Sequence, residues 1–276
     1  MSVAVAVAEV RKLPAFLRRD LLVMLSYRVA FVSDVMHIVL QAALFSFVAQ
    51  MINPAALPDY GGGPTSYMEF VMIGVVVSTV SALLLERVAT AIRQEQMIGT
   101  LEALLVTPTS AATVQAGSVA FDLLFIPVRM GALLLAVALV FGLDFDPAGI
   151  GPALVALAAF VPFVWGLGLI SAAGIVTFRH GVGAVGAGMN LLGLVSGAFF
   201  PLSLLPGWLQ GAAEVNPVAI AIETVREALI GGVGWSAIRP EVLLLLPLSA
   251  LSLCLGIVAF RAALAREHRR GSLGLY

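Results

Sequence analysis

Cysteine occurs once in these 276 residues, lysine once and histidine three times. The single Cys254 lies in an apolar run, so it forms no disulfide within the chain and anchors no metal site. His37, His180 and His268 fall in different segments without helical pairing, and no His-Glu or Cys-His spacing of a metal enzyme occurs. Lys12 stands in "AEVRKLPA" with no glycine-rich turn, which excludes a standard P-loop for nucleotide phosphates in this chain. Charge is scarce as well. Only 11% of residues are charged and the net charge is −1, so no basic field invites nucleic acid.

Hydrocarbon fills the chain instead: 61% of residues are hydrophobic and the mean hydropathy is +1.05. That composition belongs to an all-α polytopic membrane protein. A helix needs about 20 apolar residues to cross the ~30 Å hydrocarbon core. Six runs qualify: Val29 to Ile52, Tyr67 to Leu85, Ala111 to Phe141, Pro152 to Phe178, Val182 to Leu202, and Val242 to Phe260. The third would be ~46 Å long as a straight helix, so it is expected to emerge from the membrane or to tilt. At the N-terminus the apolar residues precede the charges, the reverse of a secretory signal, and the start is expected to be retained.

Orientation follows from the cations, which concentrate in cytoplasmic loops. With both termini cytoplasmic, the inner segments hold Arg11, Lys12, Arg18, Arg19, Arg28, Arg87, Arg93, Arg179, Arg261, Arg266, Arg269 and Arg270, and the outer segments hold only Arg226 and Arg239. The opposite topology would invert this bias. Before the first span, Leu13, Phe16, Leu17, Leu21 and Leu25 recur at helical spacing with the cations off that face, which predicts an amphipathic helix within residues 1–28 lying in the inner interface. The segment 203–239 is apolar in patches and broken by Pro206, Gly207, Asn216 and Pro217, and predicts two short helices in or along the outer leaflet. In the second of these, Ile222, Val225 and Leu229 share one side while Glu223, Arg226 and Glu227 can pair on another. In the fifth span, Gly193 and Gly197, like Gly183 and Ala187, are four apart and suit close helix packing.

Charges at membrane depth mark functional candidates. Asp34 and His37 stand at i, i+3 in the first span, and Asp122 and Arg129 at i, i+7 in the third. Asp34, Asp122 and Glu86 read as inner-interface positions within reach of water. Arg129, ~18 Å below the outer boundary, reads first as a member of a structural ion pair and second as a substrate ligand.

Between the second and third spans runs "QEQMIGTLEALLVTPTS", residues 94–110. Met97, Leu101, Leu104 and Leu105 fall on one face of a short helix, Gly99 and Thr100 offer its N-terminal break, and Pro108 ends it near Thr107. Periodicity leaves two uses open, resting on lipid or docking a soluble partner.

This block, with "SGAFFPLSLLPGWLQGAAEVNPVAIAIETVREALIGG" about 100 residues later, resembles the permease subunits of type-2 ATP-binding-cassette (ABC) transporters. The first block matches the family's acidic residue, Gly-Thr-Leu-Glu, Leu-Leu and Thr-Pro; the second matches its Phe-Phe-Pro, Leu-Pro, Asn-Pro and Arg series. The resemblance implies a single transmembrane domain over 1–276 with six spans. It makes residues 1–28 the interfacial connecting helix and 94–110 the coupling helix that contacts the ATPase, through Glu95, Gly99, Thr100, Leu101, Glu102, Leu104, Leu105 and Pro108. It makes 203–239 an outer re-entrant gate, with Phe199, Phe200, Pro201, Pro206, Asn216, Pro217 and Arg226 as its residues. It further implies an exporter of a drug-like, lipid-like or other amphiphilic molecule in a bacterial or archaeal inner or plasma membrane. The partners implied are ABC ATPase subunits, which hold the ATP and Mg that this chain does not, a second permease protomer, and membrane lipid. The rival readings are an ion-gradient-driven secondary transporter or channel using Asp34, Asp122 or Arg129, and a membrane scaffold without transport.

Overall fold

The computed structural model describes residues 12–26, 28–52, 57–60, 65–98, 111–178, 187–188 and 191–270. Every regular element among them is helical. In chain order they are α1 Leu13–Ser26, α2 Arg28–Ala49, α3 Tyr67–Ile98, α4 Ala111–Phe141, α5 Ile150–Phe178, α6 Gly207–Glu214, α7 Pro217–Leu229 and α8 Trp235–Arg270, with 3-10 turns at Pro147–Gly149 and Leu202–Leu204. Three stretches are long and apolar enough to cross a membrane, Tyr67–Ala91, Pro147–Thr177 and Trp235–Arg266, and the two halves of α4 together make a fourth. The chain is a multi-pass membrane protein.

α3 is the central helix. It packs on α2, α4, α5 and α7, and 72% of its span is buried, against 28% for α8. It also runs past Leu85, the expected end of the second span, so that Gln94 to Ile98 continue the same helix. Met97 therefore belongs to α3 and not to a separate short helix after it. α2 buries Ile38 and Ala42 toward the core, with Val35, Phe45 and Ala49 on the same side, while Val32, Met36, Leu40, Leu44 and Phe47 are exposed. An apolar helix with one exposed apolar face is matched to lipid as solvent.

The length of α4 is accommodated by a bend. Val119–Ile126 and Val128–Phe141 meet at 45° around Pro127, whose missing N–H interrupts the helical ladder. α1 packs on α4 through part of the expected stripe: Phe16 is buried and Leu17 half-buried, with Asp20 buried beside them, while Leu21 is exposed with Leu22 and Val23. The Phe16 ring lies over Gly117 of α4, where a Cβ would collide with it.

Close helix packing through glycine occurs at positions the sequence did not single out, while Gly183 of the expected Gly183 and Ala187 pair lies outside the described residues. Gly193 has open space around it, and Gly197 adopts φ +70 in a turn. Gly166 of α5 and Gly256 of α8 are the packing pair, each leaving no room for a Cβ against the other helix's backbone. Beside them Ser249 Oγ donates to the Ala159 carbonyl at 2.7 Å and Ser252 Oγ to the Phe163 carbonyl at 2.9 Å. Small residues and interhelical hydroxyl bonds are what hold helices together where lipid removes the hydrophobic drive.

Around the segments that precede α6 and α8 two more expectations change. The fifth expected span does not remain helical to Leu202: Leu191 to Leu194 are helical and 195–200 turn. Ser196 Oγ takes the Gly193 carbonyl at 2.6 Å, and Gly197 supplies the left-handed residue that ends a helix. Arg239, expected in the last outer loop, lies within α8.

Candidate functional site

One end of these elements converges on Arg226. Its helix, α7, starts at Asn216, whose Oδ1 accepts from Val218 N–H at 3.0 Å, with Pro217 pre-set in the first turn. Asn216 Nδ2 also donates to the Leu192 carbonyl at 2.9 Å, fixing α7 to the end of the fifth segment. The helix is buried nearly all round, and Arg226 is 1% exposed. The sequence placed Arg226 on the polar side of a helix lying along the leaflet. The structure turns it inward.

Each guanidinium nitrogen has a partner. Nε donates to the Phe70 carbonyl at 3.0 Å, and Nη2 to the carbonyls of Gly197 and Ala198 at 2.9 and 3.1 Å. Nη1 donates to Glu223 Oε2 at 3.2 Å, the i, i+3 pair anticipated from spacing. The Tyr60 hydroxyl donates to the other oxygen, Glu223 Oε1, at 2.7 Å. A buried cation with its donors occupied and one carboxylate beside it avoids the penalty of an unpaired charge. Burial still pulls the guanidinium below its ordinary value, with Tyr60 and then Glu223 holding it up. Burial first, and then Glu223, push the Tyr60 phenol up, so it keeps its proton and its donor role.

The packing leaves no slack around these bonds. A Cβ on Gly74 of α3 would strike the Ala198 backbone and Arg226 Nη2, so only glycine lets the 197–198 turn approach. Tyr67 donates to the Phe199 carbonyl at 3.0 Å, and the Phe199 ring stacks on Phe45 of α2 with centroids 5.7 Å apart. The opposite end of α7 is tied too. Asp146 N–H donates to the Leu229 carbonyl at 2.8 Å, and Gly232, at φ +61, leaves no space between its own backbone and the Asp146 carboxylate. Glu227 faces Glu241 and Glu223, and burial first, then those two carboxylates, raise it above the ordinary carboxylate range.

Of the expected outer residues, Phe199, Asn216, Pro217 and Arg226 meet in this junction. Phe200 lies half-buried in the bend, Pro201 opens the Leu202–Leu204 turn, and Pro206 precedes α6, on which Trp208 is exposed. Phe70 and Gly74 carried no signal in the sequence, because their part is played through a backbone carbonyl and close approach; Tyr60 acts through its hydroxyl on a residue 163 positions away, and Gly197, expected to pack helices, instead lends its carbonyl to Arg226. The positive-φ glycine after a helical run was the one available signal.

Toward the other end, Arg87 Nε and Asp122 Oδ2 form an ion pair of 2.8 Å between α3 and α4. Asp122 was matched with Arg129 in sequence, but i, i+7 separates them by ~10 Å along one helix. Arg87 lies 20 residues after the start of α3 and Asp122 19 before the end of α4, ~30 Å along the helix in each case. Arg129 is half-buried just past the α4 bend. Asp34 lies in α2 and Glu95 in the last turn of α3, with side chains outside the described residues. Gly99, Thr100, Leu101, Glu102, Leu104, Leu105 and Pro108 also lie outside them.

Residues 11–230 match the family model of the ABC-2 type transporter. The chain belongs to that family. The match runs across the 94–110 block and the Arg226 junction alike, and makes the chain a type-2 ABC permease subunit, the membrane component that lacks the ATPase site. The linearmycin resistance permease protein LnrN of Bacillus subtilis (strain 168) is 27% identical to this permease over 165 residues, 59% of the chain and 42% of the relative. The alignment thus spans less than half the length of that curated relative.

Proposed function

We propose that this permease is the membrane-spanning half of an ATP-driven exporter. Six spans of one protomer pair with six of a second, identical or related. Both termini are cytoplasmic, in a bacterial or archaeal inner or plasma membrane. The substrate path runs between the protomers, beside the second and fifth spans. Residues 94–110 dock a separate ATPase subunit, which binds ATP and Mg and supplies the work that turns the path outward.

The observation that carries this reading is the family match over residues 11–230, with the Gly-Thr-Leu-Glu and Thr-Pro block placed between two helices joined by the Arg87–Asp122 pair. A segment whose two flanking helices are tied at the membrane boundary transmits a push into both. The Arg226 junction adds the far end of the lever, because Arg226 and its neighbours bind α3 to the 197–199 turn and α7. Closure and opening of the outer end then move through one set of contacts. The amphiphilic character of the cargo rests on the weakly charged spans and on a relative named for resistance to linearmycin.

Reconstitution with the cognate ATPase tests the proposal. ATP-dependent export and substrate-stimulated hydrolysis are expected to fall together in Leu105→Asp and Glu102→Arg. Transport that persists without any ATPase subunit, driven by an ion gradient, contradicts it.

A further inference from the structure

α8 lies beyond the residues matched to the family, and its outward face carries a pattern that the transport reading leaves unused. Leu251, Leu255 and Val258 are exposed along it. At a helical repeat of about 100° per residue, Ala262 and Ala265 continue the same stripe, and Arg266 and Arg269 close it. These last four residues line a shallow groove and are all exposed. The apolar part is ~10 Å long from Leu251 to Val258, and Arg266 follows ~12 Å further on.

We propose that this stripe is a binding site for one anionic phospholipid. Its acyl chains lie along Leu251, Leu255 and Val258, its glycerol passes over the two alanines, and its phosphate sits between Arg266 and Arg269. Four observations favour a lipid over other occupants. The face is apolar only up to the point where the charged end of the span begins, and cationic only beyond it, as in a lipid. The alanines keep the helix surface low where the bulkier interfacial part of a lipid must pass. Two arginines at i, i+3 offer forked donors to one phosphate from the same side of a helix. The stretch Arg261 to Arg270 also carries four arginines against one acid, Glu267, and charge of that sign near a membrane surface attracts anionic headgroups.

The test uses the purified full chain in detergent, titrated with phosphatidylglycerol or phosphatidylcholine of the same acyl composition and read by native mass spectrometry. The wild type is expected to retain phosphatidylglycerol in preference to phosphatidylcholine. Arg266→Gln with Arg269→Gln is expected to lower that retention roughly 30-fold, while the double lysine variant keeps most of it and glycerol phosphate in the buffer does not compete. Thermal unfolding of each variant in the same detergent controls for folding. Equal retention of the two lipids by the wild type overturns the proposal. So does unchanged phosphatidylglycerol retention in the double glutamine variant, or a variant that retains lipid but loses a second copy of the chain or the ATPase subunit, which would make this face a protein contact.

Discussion

The guanidinium carbon of Arg226 lies 3.5 Å from the centre of the Phe70 ring, and Arg226 Nε donates to the Phe70 carbonyl at 3.0 Å. One residue of α3 thus meets the same cation with its ring and with its backbone. Cation–π attraction and charge-assisted hydrogen bonding reinforce each other where water is excluded. The same cation holds the 197–198 turn, so its removal releases three elements at once.

Arg226→Met therefore leaves the Gly197 and Ala198 carbonyls without this donor, takes one from the Phe70 carbonyl, and leaves the Glu223 carboxylate with Tyr60 alone beside it. The expected loss is ~3–5 kcal/mol, the range for breaking a buried charged pair. Arg226→Lys restores only part of it, since an ammonium cannot reproduce the fork. Tyr60→Phe removes one hydrogen bond and costs ~1 kcal/mol. Thermal unfolding in detergent checks the order Met, Lys, Phe from most to least damaging.

Glycine substitutions separate space from conformation. Gly74→Ala drives a methyl into the Ala198 backbone and Arg226, and Gly166→Ala into α8. Each is expected to cost ~1–3 kcal/mol, as overpacking does. Gly131→Ala meets nothing within 4 Å and is expected to be neutral or stabilising by up to ~1 kcal/mol from helix propensity. A destabilised Gly131→Ala beside an unaffected Gly74→Ala, measured by the same melts, contradicts the packing described.

Glu227 gives the end of α7 a pH dependence. Its folded-state value is raised by burial, Glu241 and Glu223, so the folded protein binds the proton more tightly than the unfolded chain. That contribution to stability is complete below the ordinary carboxylate range and is lost as pH rises through the raised value. Glu227→Gln is expected to be more stable than wild type at neutral pH and to flatten this part of the profile. Melting temperature against pH for the two proteins reads the difference.

The Arg87–Asp122 pair is about a third exposed on each side, so water screens it. A double-mutant cycle with charge reversal, Arg87→Glu and Asp122→Arg, is expected to return ~0.5–1 kcal/mol of coupling in stability. Its effect on transport per ATP is expected to be larger than on melting, and the double reversal is expected to restore both.

The long apolar elements were legible because hydropathy is additive along the chain. α4 coincides with its expected span, α2 and α5 begin and end within about three residues of theirs, and α3 begins at the expected Tyr67, whereas α8 overruns its expected span at both ends. They overran where charged residues continue a helix past the hydrocarbon, as in Gln94 to Ile98 and at Arg239. The start of α7 was legible from Asn216-Pro217, a local capping signal. What was not legible depends on distance between segments far apart in sequence. The partner of Asp122 is Arg87, 35 positions away, and the carbonyls that receive Arg226 lie 156, 29 and 28 positions away. Helical periodicity ranks faces but does not choose between neighbouring ones, and in α1 Asp20 is buried beside Phe16 while Leu21 of the expected stripe is exposed.

The central claim is that an external ATPase drives this permease through residues 94–110. Affinity purification of the tagged chain from its native membrane, with an ATPase assay on the eluate, measures that directly. A Walker-motif ATPase is expected to co-purify in stoichiometric amount, to be lost with Leu105→Asp, and to be retained with Glu227→Gln. A chain that purifies without such an ATPase, or whose associated hydrolysis is indifferent to Leu105→Asp, contradicts the account.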